Sequence, residues 1–304
     1  MRTGTCSLGV SHATALTVNF HSQFCSADFV RRFVAIAVVL FSVGCANRPA
    51  FLGGEKVFSN VVFAAPQGQK LRMDLYVPRS EKPVPVVIWI FGGSWKFGSK
   101  SFHVNVRELT RYGIAVAAIE YRLSGTAKYP AQLDDCRSAL AWLVENGERF
   151  GIDPRKIGVS GESAGGHLAA LLGTIEGTPR IRAVFAMYPP TDLVILGRQY
   201  ANPFEPTNID RLLGGPIEEK LREAAEASPV NQVSRTSPPF LLIHGARDEL
   251  VPIDQSVRLQ QKLKSAGVPA RLIVVPNKEH WFFLSRKQVR EVAEFFLTHF
   301  KAAP

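Results

Sequence analysis

The chain has 304 residues, 46% of them hydrophobic and 20% charged. That balance buries a core and excludes a disordered tail, a collagen-like repeat and a disulfide-dense miniprotein. Mean hydropathy is +0.04, too low for a polytopic membrane protein, and 36 basic against 26 acidic residues leave a net charge of +10. So basic a chain suits nucleic acid, anionic lipid or polyanionic glycan. No run of five like charges gives a nucleic-acid role local support.

Residues 1–45 read as an N-terminal extension and export signal. Arg31 and Arg32 precede an apolar run over 33–43, interrupted by Ser42 alone and followed by the small residues Gly44, Cys45 and Ala46. Such a run makes a helix of roughly 16 Å, against a bilayer core of about 30 Å. Cys45 resembles a bacterial lipoprotein cleavage site, at which the cysteine is lipidated, although Ser42 stands where leucine is usual. The expectation is an exported protein: periplasmic, membrane-anchored through Cys45, or secreted. Residues 1–29 carry only Arg2 and Asp28 as charges. They fit neither a signal nor a fold, which is explained if translation starts at Val30, from a GTG codon, rather than at Met1. Three of the four cysteines lie in this segment, and Cys136, alone in the body, reads as a small core residue.

Beyond it, residues 46–304 form one domain in which strands and helices alternate. Residues 57–63 and 71–77 read as an antiparallel pair, and 86–91 as a strand buried on both faces. A helix over 101–111 and a strand over 114–119 come next. An amphipathic helix over 131–149 has Leu133, Cys136, Leu140, Leu143 and Val144 as its stripe. Strand 156–160 runs straight into a helix over 163–172, and strand 181–187 follows. Residues 190–232 break the rhythm; they are rich in Pro, Asn and Gly, with one short charged helix near 217–227, and read as a lid or binding-loop insertion. Strand 240–244, helix 253–266, strand 270–275 and helix 287–300 close the chain. The fold class is α/β, with a mainly parallel sheet covered by helices on both faces.

Gly161-Glu162-Ser163-Ala164-Gly165 matches the G-x-S-x-G elbow, in which a tight strand-to-helix turn lifts a serine hydroxyl above the sheet. Ser163 is therefore the candidate nucleophile, and it needs a base and a group to orient that base. Asp248 follows strand 240–244 and His280 follows strand 270–275, completing the order Ser163, Asp248, His280. Glu249 is weaker by position, and Asp254 reads as a helix cap. His103 and His299 fall on helices, His167 reads as packing, and His244 as support for the turn carrying Asp248. Gly92-Gly93-Ser94-Trp95 follows strand 86–91, where an oxyanion hole takes its backbone N–H donors. Trp95 and Trp281 adjoin these loops, and for each both substrate lining and core packing stand open.

The stretches Trp89-Ile90-Phe91-Gly92-Gly93-Ser94-Trp95, Tyr121-Arg122-Leu123-Ser124, Arg149-Phe150-Gly151-Ile152-Asp153-Pro154 and the elbow make the chain similar to an α/β-hydrolase of the hormone-sensitive-lipase-like esterases. More closely, it resembles the bifunctional feruloyl and acetyl xylan esterase group. The resemblance spans about residues 60 to 300. It implies Ser163, Asp248 and His280 as triad and Gly93, Ser94 and Ala164 as oxyanion donors. That family's loop usually opens with histidine, where this chain has Phe91. The expected activity is serine carboxylesterase, acting on a small-molecule or carbohydrate ester, with no metal or organic cofactor and no nucleic-acid partner. An amide-cleaving hydrolase on the same triad and a catalytically inactive binding protein are the alternatives.

Overall fold

The computed structural model describes residues 54–102, 106–176, 181–202 and 204–301. The expected export signal, Cys45, Val30 and His103 lie outside these residues. Eight strands form one sheet: β1 (Lys56–Ala64), β2 (Leu71–Val77), β3 (Val84–Ile90), β4 (Ala115–Ile119), β5 (Ile152–Glu162), β6 (Ile181–Met187), β7 (Phe240–Gly245) and β8 (Ala270–Val275). They lie in the order β1-β2-β4-β3-β5-β6-β7-β8. β1 runs antiparallel to β2 and β2 to β4, and every other pair is parallel.

Period-two alternation divides the core in two. Along β3, Val86, Ile88 and Ile90 join the cluster on one face of the sheet, while Val87 and Trp89 join the cluster on the other. The first face is covered by α1 (Ala131–Asn146) and α2 (Ala164–Thr174). Every residue of α2 is buried, as suits a helix apolar on all sides. Cys136 of α1 is buried among these side chains. Burial, then Asp135 and Asp134, push its thiol up, away from the reactive thiolate.

Between β6 and β7 the structure has four short helices where the sequence predicts one: α3 (Leu193–Gln199), α4 (Asn208–Leu213), α5 (Leu221–Glu226) and α6 (Pro229–Gln232). Local signals fix the ends of α3 and α4. Asp192 caps α3 by accepting from the Ile195 N–H, Thr207 and Asp210 make a reciprocal capping box on α4, and Gly214 ends it at φ 82°. Leu193, Leu196, Leu212 and Ile217 join the core of the first face. The insertion is thus packed down rather than held away from the body. α7 (Asp254–Ser265) completes this face through Leu259 and Leu263, and α8 (Arg286–Lys301) covers the other through Val289, Val292 and Phe296.

Two expected helices differ. The one over 101–111 is a 3-10 segment, Val106–Tyr112. Its Thr110 hydroxyl donates to the Arg107 carbonyl and the Gly113 N–H to the Thr110 carbonyl, both i to i−3 bonds that tighten the turn. The helix over 131–149 stops at Asn146, and a 3-10 turn (Gly147–Phe150) carries the chain to Gly151 at φ 77°. Because the central strands are parallel, the loops after β3, β5, β7 and β8 gather at one edge of the sheet.

Candidate active site

Ser163 sits between β5 and α2 with φ 50° and ψ −121°, a strained conformation held by its N–H donating to the Met187 carbonyl at 2.9 Å. The elbow's glycines are sterically required. A Cβ at Gly165 would lie 2.1 Å from the Ile90 carbonyl oxygen, and one at Gly161 would lie 2.3 Å from the Gly165 carbonyl oxygen. The serine is nearly buried at 5% exposure.

The structure brings Ser163, His280 and Asp248 together. His280 Nε2 lies 2.8 Å from Ser163 Oγ, and its Nδ1 lies 2.7 Å from Asp248 Oδ2. An ionised carboxylate only accepts, so Nδ1 carries the proton and Nε2 is left to accept from the serine hydroxyl. Asp248 Oδ1 accepts from the N–H groups of Leu250 and Val251 at 3.0 and 2.8 Å. His244 Nε2 lies 3.2 Å from Asp248 Oδ2 and 2.9 Å from the Val251 carbonyl, while its Nδ1 accepts from the Ser256 hydroxyl at 2.7 Å. Burial alone raises the Asp248 carboxyl; the hydrogen bonds from His244, His280 and Val251 outweigh it and bring it down to about 2. Asp248 is therefore a charged, fully engaged acceptor at neutral pH. The rival acids lie elsewhere: Glu249 is exposed, and Asp254 pairs with Arg258 in the first turn of α7, where Ile253 rather than Asp254 holds the cap position.

The loop after β3 abuts Ser163, since a Cβ at Gly92 would lie 3.3 Å from the Ser163 Cβ. Gly93 has φ 113°, with room for no Cβ against the Phe97 carbonyl oxygen, and Ser94 and Trp95 follow at φ 52° and 54°. Ala164 is the first residue of α2, whose N-terminal end favours negative charge. Phe91, in the place of the expected histidine, stacks on Tyr121 with ring centroids 4.3 Å apart, and the Tyr121 hydroxyl donates to the Phe91 carbonyl at 3.1 Å. A stacked ring pair thus anchors the start of the loop.

Of the two tryptophans, Trp95 is a core residue rather than a lining one, at 3% exposure. Its indole N–H donates to His167 Nδ1 at 3.2 Å, which leaves the proton on His167 Nε2 to bond the Ala227 carbonyl at 2.7 Å. Burial lowers the His167 imidazole to about 4, against the bond to Ala227, so it stays neutral. Trp281 is 39% exposed and packs edge-on to His280 at 5.5 Å and to Phe102 at 6.2 Å.

Sequence reasoning missed two residues beside the triad, Glu162 and Tyr188. The Tyr188 ring lies 4.6 Å from the His280 ring, and its hydroxyl donates to Glu162 Oε2 at 2.7 Å. One signal was present: a glutamate between a buried strand and an apolar helix is a buried charge that requires a partner.

A mainly parallel sheet, a strained serine at the strand-to-helix elbow, and an acid and a histidine on later strand ends define the α/β-hydrolase class. The BD-FAE family model matches residues 73–263, and the chain belongs to that family. The esterase LipC of Mycobacterium tuberculosis is 33% identical over 218 residues, covering 67% of this chain and 54% of LipC. The isoprenylcysteine alpha-carbonyl methylesterase ICME of Arabidopsis thaliana is 27% identical over 227 residues, covering 69% of this chain and 53% of that protein. The chain spans about half the length of the curated relatives it matches. Among solved structures, a truncated carbohydrate esterase from gut microbiota superposes with a TM-score of 0.76 at 26% identity, over 84% of this chain and 100% of that one. Esterase Est2 of Thermogutta terrifontis, bound to propionate, gives 0.65 at 25% identity over 84% and 98%.

Proposed function

We propose that this protein is a serine carboxylesterase that removes small acyl groups from carbohydrate. What carries the reading is the unbroken hydrogen-bonded line from Ser163 through His280 to Asp248. His280 takes the proton as Ser163 attacks the ester carbonyl, and Asp248 holds the tautomer and stabilises the imidazolium. Backbone N–H groups of Gly93, Ser94 and Ala164 hold the negative oxygen of the tetrahedral intermediate; losing one such donor costs about 3 kcal/mol. The alcohol departs with the proton from His280. Water, activated by the same imidazole, then releases the acyl group. The carbohydrate part of the reading is supported by the carbohydrate esterase among the superposing structures, and the carboxylesterase part by the esterases among the relatives. Trp281, exposed beside His280, is the lining residue for the alcohol or acyl group. Export through the N-terminal signal, with Cys45 as the anchor, belongs to the same proposal; a peptide spanning residues 20–50 in the purified mature protein would overturn it.

The test is hydrolysis of p-nitrophenyl acetate, then of acetylated and feruloylated oligosaccharides and paired amides. Ser163→Ala should lower kcat by at least about a thousandfold. Equal rates in the two proteins remove Ser163 from the mechanism, and faster turnover of the amides replaces the esterase reading.

A further inference from the structure

Glu162 lies next to the nucleophile in sequence but points away from the hydrogen-bonded line described above. Its side chain is buried beneath the oxyanion loop, with a Cβ at Gly92 falling only 3.2 Å from its Cγ. It accepts a hydrogen bond from the Tyr188 hydroxyl at 2.7 Å, and the Gly92 N–H on the loop packed against it favours its charged form. Its Oε1 has no partner among the described residues. Each donor belongs to a different part of the machinery. Gly92 opens the loop that carries Gly93 and Ser94. Tyr188 lays its ring against His280 at 4.6 Å and is itself held at φ 36°, with its N–H donating to the Ile243 carbonyl.

We propose that Glu162, as a carboxylate, is a positioning residue for the reaction, fixing the His280 ring through Tyr188 and the oxyanion loop through the Gly92 N–H. The inference rests on the serine-hydrolase reading of Ser163 and His280 and adds to it a second acid with a different task. A carboxylate accepts from the Tyr188 hydroxyl strongly and attracts the Gly92 N–H. A carboxylic acid accepts weakly and carries an O–H of its own that competes for the Tyr188 oxygen, so protonation loosens both contacts. The groups around it that can bear charge are Tyr188 at the end of β6 and Tyr121 beyond β4, with His280, His244 and Asp248 on the far side of Tyr188. Burial, offset in part by the bonds from Tyr188 and Gly92, pushes the Glu162 carboxyl up to about 7. The switch between the two states therefore falls near neutral pH, inside the range over which activity is to be measured.

The experiment compares the wild type with Glu162→Gln, Tyr188→Phe and the double variant, measuring kcat and KM for p-nitrophenyl acetate from about pH 5 to about pH 9. At the alkaline end Glu162→Gln should have a kcat roughly tenfold below the wild type with KM within about twofold, and the two should converge at the acid end as Glu162 takes its proton. Tyr188→Phe should move the extra ionisation to higher pH, because the carboxylate loses a donor. The double variant should be no slower than the slower single one, since one variant weakens and the other removes the same hydrogen bond. A ratio between wild type and Glu162→Gln that is constant across pH overturns the proposal, as does full multiplicativity in the double variant. If Glu162→Gln fails to fold, the shift in Tyr188→Phe decides. Labelling of Ser163 by a fluorophosphonate probe repeats the comparison without an ester: labelling without p-nitrophenyl acetate turnover overturns the esterase reading and leaves the pH comparison standing, and no labelling of the wild type overturns both.

Discussion

The end of β5 and the turn after β7 each bury a carboxylate near His280, one reaching it only through Tyr188 and the other bonding it directly, and the two are driven in opposite directions. Asp248, after β7, accepts from two backbone N–H groups and two histidines and is pulled down to about 2. Glu162, the last residue of β5, has one hydroxyl and one N–H for company and is pushed up to about 7. Burial acts on both with the same sign, so the difference lies in the number of donors that each carboxylate accepts from. The acid with every lone pair occupied stays charged throughout the working range. The acid with fewer donors titrates within it.

Breaking the Asp248 side has the largest effect. Asp248→Asn should lower kcat by about ten thousandfold, because an amide that donates to Nδ1 inverts the tautomer of His280; single-turnover kinetics on an activated ester checks this. On the Glu162 side the expected signature is in stability against pH. A carboxyl of raised pKa keeps its proton in the folded chain after the unfolded chain has lost it, between the ordinary value of 4.5 and about 7. The folded state binds more protons in that window, so stability falls as pH rises through it, by a few kcal/mol at most. Asp248 has the opposite slope: its contribution is complete above 3.8 and is lost as pH falls towards 2. Urea unfolding of the wild type and Glu162→Gln at several pH values should show a flatter profile in the variant between about pH 5 and about pH 7. The smallest change is Trp95→Phe, which strands His167 Nδ1 and should cost about 1 to 2 kcal/mol while leaving the carboxylates as they are; a shift in the pH profile of activity in that variant would mean the two networks are joined.

That Ser163, His280 and Asp248 come together was legible because each is tied to a local signal. Glycines 161 and 165 are demanded by carbonyl oxygens within 2.3 Å, and the other two residues follow apolar strands at fixed places in the order. The β-strands were equally plain, since β3 and β4 are apolar on both faces. What stayed hidden depends on proximity that no spacing reports. Tyr188 reaches Glu162 across 26 residues because β6 lies beside β5, and Trp95 reaches His167 across 72 because α2 returns beneath the loop. All but one of the short helices of the insertion escaped for a different reason: side-chain caps mark α3 and α4 but not α5 and α6, and four to seven residues give too little periodicity to read.

The bond from His167 to the Ala227 carbonyl sets a rule for how the insertion can diversify. The acceptor is a main-chain oxygen, so side chains along the insertion are free to change while the path of the backbone past that point is not. A foreign segment grafted between β6 and β7 would keep catalysis only if it returned a carbonyl to the same place. Otherwise a buried imidazole loses its acceptor, and the tryptophan at the root of the oxyanion loop loses its anchor with it. Libraries aimed at a new acyl or sugar preference should therefore vary sequence on either side of this point and hold the backbone length between β6 and Ala227 constant.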